Sequence, residues 1–284
     1  MTCELVLSRD PRGICLSLYQ IPAQLVQTTR MAVLTIITSS KKRTRILYLL
    51  RDGPLPLREI KATLSTTWQT LNPQIHIMIE EGLISVKARS CELTDYGRAV
   101  RDILTPAQEN LAVFEKNPEF WKTHMLRSIP RSLILRIRDL REAEIARAQN
   151  GMVFAPRLTK YLEAANTVQL VSGMIHPMHP KAFLEAALRG THISVTLGPS
   201  AYAIVHEQFK TELVNYISLP NTELFVLVED PKIRVLVTDK VLHLNLYHDT
   251  GEVDPAHDLV ATTGEAIQWG QDLITVYRKT AKRM

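Results

Sequence analysis

The chain has 284 residues, of which 45% are hydrophobic and 22% are charged, an ordinary balance for a folded protein. Its 11 glycines and 15 prolines are too few for a collagenous or low-complexity chain, and its length allows one large domain or two ordinary ones. The formal charge of +5 permits a nucleic-acid partner without requiring one.

Cysteine usage and hydropathy indicate a cytoplasmic protein. Cys3, Cys15 and Cys91 form no CxxC pair and are too few for a disulfide framework, which favours a reducing compartment. No apolar run approaches the roughly 20 residues that a membrane span needs. We therefore expect no membrane partner.

The first part of the chain carries scattered apolar residues without a sustained period. We expect a weakly ordered N-terminal extension over residues 1–39, and the alternative is an extra strand or helix that packs on the body of the protein. Helical patterning follows, with Ser39 or Ser40 placed to cap the first helix and Asp52-Gly53-Pro54 placed to stop it.

Residues 40–117 predict three helices, a β-hairpin and a long connecting helix, in that order. The third helix runs from about Thr67 to Glu81, the hairpin turns around Ala88-Arg89-Ser90, and Pro106 is the point where the connecting helix would break. This order is typical of a winged helix-turn-helix, whose DNA-binding form places the third helix in the major groove. The segment is therefore predicted to be a DNA-binding domain.

Strands and helices alternate from residue 118 to the end of the chain. One helix is expected at 126–140 and one long helix at 200–219, and a capping box from Thr262 to Glu265 begins the last helix. The alternation predicts a mainly parallel sheet covered on both faces. The expected fold thus combines α+β and α/β parts: an N-terminal winged helix-turn-helix, then an α/β regulatory domain over residues 118–284.

The predicted third helix has an apolar face and a polar face. Leu71, Ile75 and Met78 follow a helical period and would face the core. The side chains expected to contact DNA on the other face are Trp68, Gln69, Asn72 and His76. Gln and Asn can pair bidentately with adenine in the major groove, and Thr67 can cap the helix or contact phosphate. The alternative is a solvated face without a ligand.

Phosphate contact requires cations rather than particular side chains. The predicted phosphate contacts are Lys41, Lys42 and Arg45 on the first helix, and Lys87 and Arg89 on the hairpin. Residues 40–104 hold 11 basic and 7 acidic residues, net +4, whereas residues 118–284 hold 19 and 18, net +1. The excess charge lies in the predicted DNA-binding part, although a charge run can also be a solvated face.

The C-terminal histidines show no HExxH motif and no Cys/His set with ligand spacing, so we expect no metal and no cofactor. Open α/β sheets bind ligands in loops at the carboxyl ends of their strands, and His176 follows such a strand. We expect an unidentified small-molecule effector near His176, with His179, Asp239 and Asp258 as further contacts. The alternative for His176 is a loop histidine satisfied by the backbone.

Enzyme motifs are missing from the sequence: it has no GxSxG, GxxxxGK[ST] or GxGxxG segment. His179-Pro180-Lys181 has the His-x-Lys form of phospholipase-D-like enzymes, but Glu185 is the only acidic residue nearby. We expect no enzymatic activity and no catalytic residues. A degenerate phospholipase-D-like enzyme and a protein-interaction adaptor remain as alternatives to a regulator.

Four segments of the sequence resemble the methanogenesis regulatory proteins of methanogenic archaea. They are residues 71–84, the junction 114–137, the IHPMHP segment at 175–180, and the tail formed by 250–260 and 265–279. Val253 departs from the family, where an aromatic residue is usual before the aspartate. Over residues 40–282 the resemblance implies an ArsR-like winged helix and a filament-regulator-type C-terminal domain. It also implies a homodimeric, sequence-specific transcription regulator that binds double-stranded DNA.

Overall fold

A computed structural model of the chain describes residues 32–147 and 160–284. The chain divides into two compact units, the first ending at Asp102 and the second beginning at Ile103. This division falls inside a helix, earlier in the chain than the domain boundary expected between residues 117 and 118. Residues 1–31 of the expected N-terminal extension lie outside the described residues.

The described part of the first unit begins with two helices, α1 (Ala32–Thr38) and α2 (Lys41–Leu49). The prediction of weak order is therefore wrong for residues 32–38, because Ile37 is fully buried and its carbonyl accepts a hydrogen bond from Thr44 Oγ1. Of the two predicted caps, Ser39 and Ser40, it is Ser40 that forms the N-cap of α2. Its side chain accepts a hydrogen bond from the backbone N–H of Arg43.

The winged-helix order of elements is confirmed. After α2 come β1 (Leu55–Pro56), α3 (Leu57–Thr63), α4 (Trp68–Glu80), β2 (Ile84–Lys87) and β3 (Ser90–Leu93). The three strands form an antiparallel sheet in the order β1-β3-β2. Strand β1 was not predicted, because it is only two residues long and therefore shows no alternation.

The helix that follows the hairpin is α5 (Asp95–Lys116), and it continues through Pro106, so the predicted break is wrong. Thr94 anchors its start, because the Thr94 hydroxyl accepts from the backbone N–H of Gly97. Trp121 anchors its end by donating from Nε1 to the carbonyl of Val113. These contacts hold the helix on both sides of the one backbone bond that proline removes.

The rest of the second unit is an eight-stranded sheet with its covering helices. The helices are α6 (Pro118–Thr123), α7 (Arg131–Ile134), α8 (His179–Leu188), α9 (Pro199–Gln208), α10 (Lys210–Ile217) and α11 (Gly264–Arg278), with a further helical segment at 160–164. The strands are β4 (Glu144–Arg147), β5 (Thr167–Ser172), β6 (His192–Leu197), β7 (Thr222–Leu227), β8 (Ile233–Thr238), β9 (Leu242–Leu246), β10 (His257–Ala261) and β11 (Ala281–Arg283).

The strand order is β11-β7-β6-β5-β8-β9-β10-β4. Only the pairings β5–β6 and β6–β7 are parallel among the described strands, and the other five are antiparallel. The mixed α and β class is confirmed, but the expectation of a mainly parallel sheet is wrong. For β8 and β9 the reason is local, because a short turn at Asp239-Lys240 joins them and parallel strands need a long crossover.

Two apolar cores cover the two faces of this sheet, as predicted. Val235 belongs to the core under Trp269 of α11, whereas its neighbour Leu236 belongs to the core under Phe183 of α8. Successive strand residues point to opposite faces, so the two helices lie on opposite sides of the sheet. Trp269 is fully buried, and its Nε1 donates to the carbonyl of Leu133.

Three helix predictions in this unit are wrong in detail. The segment 126–140 contains only short helical pieces, and 200–219 is divided at Phe209, whose φ of −128° and ψ of 40° are not helical. The N-cap of α11 is Thr263 rather than Thr262, because the Thr263 hydroxyl accepts from the N–H of Ala266. No helix in the described part of the chain is long and apolar enough to cross a bilayer.

Candidate nucleic-acid interface and effector site

Helix α4 presents the predicted polar face to solvent. The exposed side chains are Trp68, Gln69, Asn72 and His76, and the buried ones are Leu71, Ile75 and Met78. Trp68 is 41% exposed, and part of its ring lies under the Lys61 ammonium, whose Nζ is 5.2 Å from the ring centroid. The helix can therefore offer amide and imidazole groups to a ligand while its other face stays packed in the core.

Thr67 was predicted either to cap the helix or to contact phosphate, and in the structure it caps the helix. It is the N-cap of α4, and its Oγ1 accepts from the backbone N–H of Thr70. A side chain that accepts this bond satisfies one of the free N–H groups at the helix start.

Arg43 fixes α4 against the preceding helices, a role that the sequence analysis missed. Its side chain is almost fully buried; Nη1 donates to Gln74 Oε1 at 2.6 Å and Nη2 donates to Ser39 Oγ at 2.8 Å. Ser40 Oγ donates to the same Gln74 oxygen. No local signal separates Arg43 from the other cations of its run, since only burial distinguishes it.

The predicted phosphate contacts all reach solvent to some degree. Lys41 and Arg45 are exposed, and Lys42 is half-buried. On the β2–β3 hairpin, which we call the wing, Lys87 and Arg89 are exposed, and Lys87 Nζ lies 3.4 Å from Glu92 in a surface ion pair. Such exposed pairs contribute little stability, about 0–1 kcal/mol, so Lys87 can exchange its partner for a phosphate at small cost.

The wing turn holds two residues in a left-handed backbone conformation. Ala88 has a φ of 49° and Arg89 a φ of 67°, between the paired residues Lys87 and Ser90. A two-residue loop with positive φ at both positions has the geometry of a type I′ hairpin turn, which favours Asn and Gly. This turn places the Arg89 side chain at the tip of the wing.

The structure brings together three of the four predicted effector contacts. His176 follows β5 and is half-buried, and its ring lies 5.4 Å from the ring of buried His179. His179 Nδ1 accepts from the backbone N–H of His176. Burial, together with the nearby Arg234 charge, lowers the pKa of His179 from 6.5 to about 3. Arg234 also pairs with buried Asp258 at 3.3 Å.

These groups belong to a larger buried polar cluster on one face of the sheet. His243 Nε2 lies 3.7 Å from Asp258 Oδ2, and Asn245 is paired in register with Arg234. Burial raises the pKa of Asp258 even though Arg234 opposes the effect. Arg234, His243 and Asn245 were not predicted as site residues. A signal for them was present in the sequence, since each polar residue interrupts an apolar strand.

Asp239 does not join this cluster. It lies in the turn between β8 and β9, where its carboxylate accepts from the backbone N–H and the side-chain amide of Asn166. Asn166 precedes β5, whereas His176 follows that strand. Six strand residues span roughly 20 Å, so Asp239 and His176 lie near opposite ends of β5.

The His-x-Lys segment does not assemble a phosphodiesterase site. His179 is buried at the start of α8, whereas Lys181 is exposed and lies 3.8 Å from Glu185. Residues two apart on a helix do not face each other. The imidazole and the ammonium therefore cannot act on the same phosphate.

Comparisons with known proteins associate both units with one family. Residues 31–105 match "Methanogenesis regulatory protein FilR1, N-terminal domain", and residues 153–280 match "Methanogenesis regulatory protein FilR1, middle domain". The curated methanogenesis regulatory protein FilR1 of Methanothrix harundinacea (strain 6Ac) is 22% identical over 255 residues. The alignment covers 88% of this chain but 57% of that relative, so the chain spans little more than half of its length.

Two solved structures show weaker likeness. TrmBL2, described as an archaeal chromatin protein with a novel mode of DNA binding, is 13% identical with a TM-score of 0.42, covering 89% of this chain and 98% of its own. Nuc from Salmonella typhimurium, a phospholipase D family member, is 9% identical with a TM-score of 0.38, covering 50% of this chain and 97% of its own. At these scores neither likeness establishes a shared function.

Proposed function

The chain belongs to the family of the methanogenesis regulatory protein FilR1, and from this premise we propose that it is a sequence-specific DNA-binding transcription regulator. The exposed polar face of α4, backed by its buried apolar face, carries the proposal. In this proposal α4 reads duplex DNA in the major groove, and the second unit receives the signal that controls reading.

The contacts divide into base readers and phosphate contacts. Gln69 and Asn72 end in amides that can donate to and accept from one adenine edge, so they are the proposed readers. Lys42 and Arg89 carry charge without base selectivity, so they are proposed to bind phosphate and to orient the domain. His76, one turn after Asn72 on the exposed face, extends the reading surface.

A selection experiment tests this proposal. The full chain is incubated with a pool of random duplexes at low salt, and the retained DNA is sequenced. We expect an enriched sequence, bound more tightly than a scrambled duplex of the same composition. Absence of duplex binding at low salt would contradict the proposal and favour the protein-interaction adaptor.

We also propose that the protein acts as a homodimer through α5. Ile103 and Leu111 are 72% and 58% exposed, and Ala107 between them is exposed too. The spacing of four residues places all three on one side of the helix. Large exposed apolar side chains in a row support a contact with a second copy, and a two-fold reader would bind paired half-sites.

The effector proposal rests on the buried polar cluster. His179, Arg234 and Asp258 lie within reach of one another at the end of the sheet where His176 lies. Charged groups held inside a fold bind complementary polar groups strongly, because solvent does not compete there. We propose that a small polar effector enters beside His176, which is half-buried and follows β5 at this end of the sheet.

A further inference from the structure

Three histidines of the second unit surround a single carboxylate oxygen. Asp254 is buried, and its Oδ2 lies 3.0 Å from His124 Nε2, 3.8 Å from His248 Nε2 and 2.8 Å from His257 Nδ1. His124 comes from the segment after α6, and the other three residues lie between β9 and the start of β10. The cluster shares no titratable side chain with the one that contains Arg234, although Asn245 contacts both.

The backbone holds two of these histidines side by side. His124 and His248 form an isolated antiparallel bridge, flanked by hydrogen bonds from Met125 N to Tyr247 O and from Asp249 N to Thr123 O. The two histidines are therefore a non-hydrogen-bonded pair, in which side chains approach most closely. Their ring centroids are 4.7 Å apart.

Asp254 is oriented by the turn that contains it. Its Oδ1 accepts from the backbone N–H of Ala256 at 2.7 Å, and Asn245 Nδ2 donates to its backbone carbonyl. These bonds fix one carboxylate oxygen and the main chain. They direct the other oxygen, Oδ2, toward the three imidazoles.

His124 is bonded in the manner of a metal ligand. Its Nδ1 lies 2.6 Å from the carbonyl of Phe120, an acceptor only, so Nδ1 carries a hydrogen. In the neutral ring, Nε2 then turns a lone pair toward the Asp254 carboxylate. A cation between the two removes this repulsion. Metal-bound histidines commonly donate their second N–H to a backbone carbonyl.

We propose that His124, His248 and Asp254 bind a divalent first-row transition metal ion such as zinc. All three ligand atoms lie within 4.8 Å of one another. In a tetrahedral zinc site with bonds near 2.0 Å, ligand atoms are about 3.3 Å apart, so small side-chain movements complete the coordination. Two imidazoles and one carboxylate also suit ferrous iron. His257 is the positioning residue that holds Asp254.

Three protein ligands leave an open position on the metal. His124, His248 and His257 line a cavity of about 360 Å³, together with Phe120, Ile145 and Arg147. Metal sites with three protein ligands take water or a bound molecule in the fourth position. The sequence alone predicts no metal, because His124 is far from His248 and Asp254 along the chain and no ligand-spacing motif links the three residues.

Zinc titration of the full chain tests the proposal. Metal is removed with a chelator and by dialysis, and zinc binding is measured by calorimetry. We expect one zinc ion per chain, and at least a 100-fold loss of affinity in both His124→Ala and His248→Ala. His257→Ala should weaken binding about 10- to 100-fold, as for other groups that orient ligands. His206→Ala, an exposed histidine on α9, is the matched control and should bind as the wild type.

His248→Ala keeps the test decisive if core variants fail to fold, since its side chain is 37% exposed. Cobalt substitution gives an independent readout: the visible absorption of low-coordinate cobalt should appear in the wild type and be lost in His248→Ala. A wild type that takes up no zinc would overturn the proposal and favour a protonated His124 paired with Asp254. Unchanged zinc affinity in His248→Ala would overturn it as well.

Discussion

At the residue scale, Gly97 shows how closely α5 approaches the wing. A Cβ built on Gly97 would lie 1.8 Å from the carbonyl oxygen of Leu83, a backbone atom that cannot rotate away. Gly97→Ala must therefore displace the helix or the strand. We expect it to lower the free energy of unfolding by about 1–3 kcal/mol, measured by urea denaturation.

Gly264→Ala is the matched control for this prediction. Gly264 is the first residue of α11, and an added Cβ there meets no atom within 4 Å. A change of no more than about 0.5 kcal/mol is expected. Equal effects of the two substitutions would show that the close approach to Leu83 does not determine the loss, because helix propensity favours alanine over glycine at both positions.

Buried His179 predicts a pH dependence of stability. Its pKa falls from 6.5 to about 3 in the folded chain, so the unfolded chain binds a proton that the folded one excludes. The contribution of neutral His179 to the free energy of unfolding is fully present above pH 6.5, and it is lost as the pH falls toward 3. At pH 5 the linked loss is about 2 kcal/mol.

His179→Asn tests this dependence, because asparagine keeps an acceptor for the His176 N–H but does not titrate. We expect urea denaturation at pH 7.5 and pH 5 to show a smaller loss in the variant than in the wild type. Only this difference is diagnostic, since other histidines titrate in both proteins. An identical pH dependence would contradict the burial of His179 as a neutral group.

The tail motif illustrates what single residues in a sequence can and cannot predict. Trp269 and the adjacent Gly270 both lie in the core, where a Cβ on Gly270 would lie 2.6 Å from the Leu242 side chain. Apolar periodicity carries this information. It carries none about Asp254, whose histidine partner His124 comes from a distant segment.

At the element scale, α5 offers a direct test of dimerisation. Ile103→Asp with Leu111→Asp places two charges on the exposed apolar row, where burial against a second copy would be costly. We expect the wild type to sediment as a dimer and the double variant as a monomer at micromolar concentration. Circular dichroism should be unchanged, because neither side chain is buried in the chain.

A matched substitution distinguishes an effect of the exposed apolar row from a general effect of changing α5. Glu109→Ala alters another exposed position of α5 and should leave the dimer intact. A wild type that sediments as a monomer would contradict the proposed dimer. Loss of the dimer in Glu109→Ala as well would indicate that the row is not the contact.

Elements were predictable where the local pattern decides them. The amphipathic face of α4 and the two short strands of the hairpin are properties of a few adjacent residues, and the structure confirms both. The antiparallel edge strand β4 depends on a distant partner instead. Strand β4 pairs with β10, whose residues lie more than 100 positions later.

At the scale of the whole molecule, the distribution of charge matters more than its sum. Most of the +5 net charge falls within residues 40–104, whereas residues 118–284 are nearly neutral at +1. Bound DNA would therefore be held by the first unit. Neutralising a cation there should weaken binding more than removing the same charge elsewhere, although the net charge changes equally.

The salt dependence of duplex binding distinguishes the two kinds of contact. Each phosphate contact adds close to 0.9 to the slope of log K against log salt, so Lys42→Ala and Arg89→Ala should each reduce the slope by about 1 on every duplex. Gln69→Ala and Asn72→Ala should leave the slope unchanged. They should reduce the binding free energy by about 1–3 kcal/mol on the selected duplex only.

Lys210→Ala removes the same charge from the second unit, and it should change neither the salt slope nor the binding free energy. If it lowers the slope as much as Lys42→Ala does, net charge rather than position governs binding, and the assignment of phosphate contacts to the first unit is wrong. If all four variants of the first unit lower the slope alike, the division into readers and phosphate contacts fails, because a reader releases no counterion from the backbone.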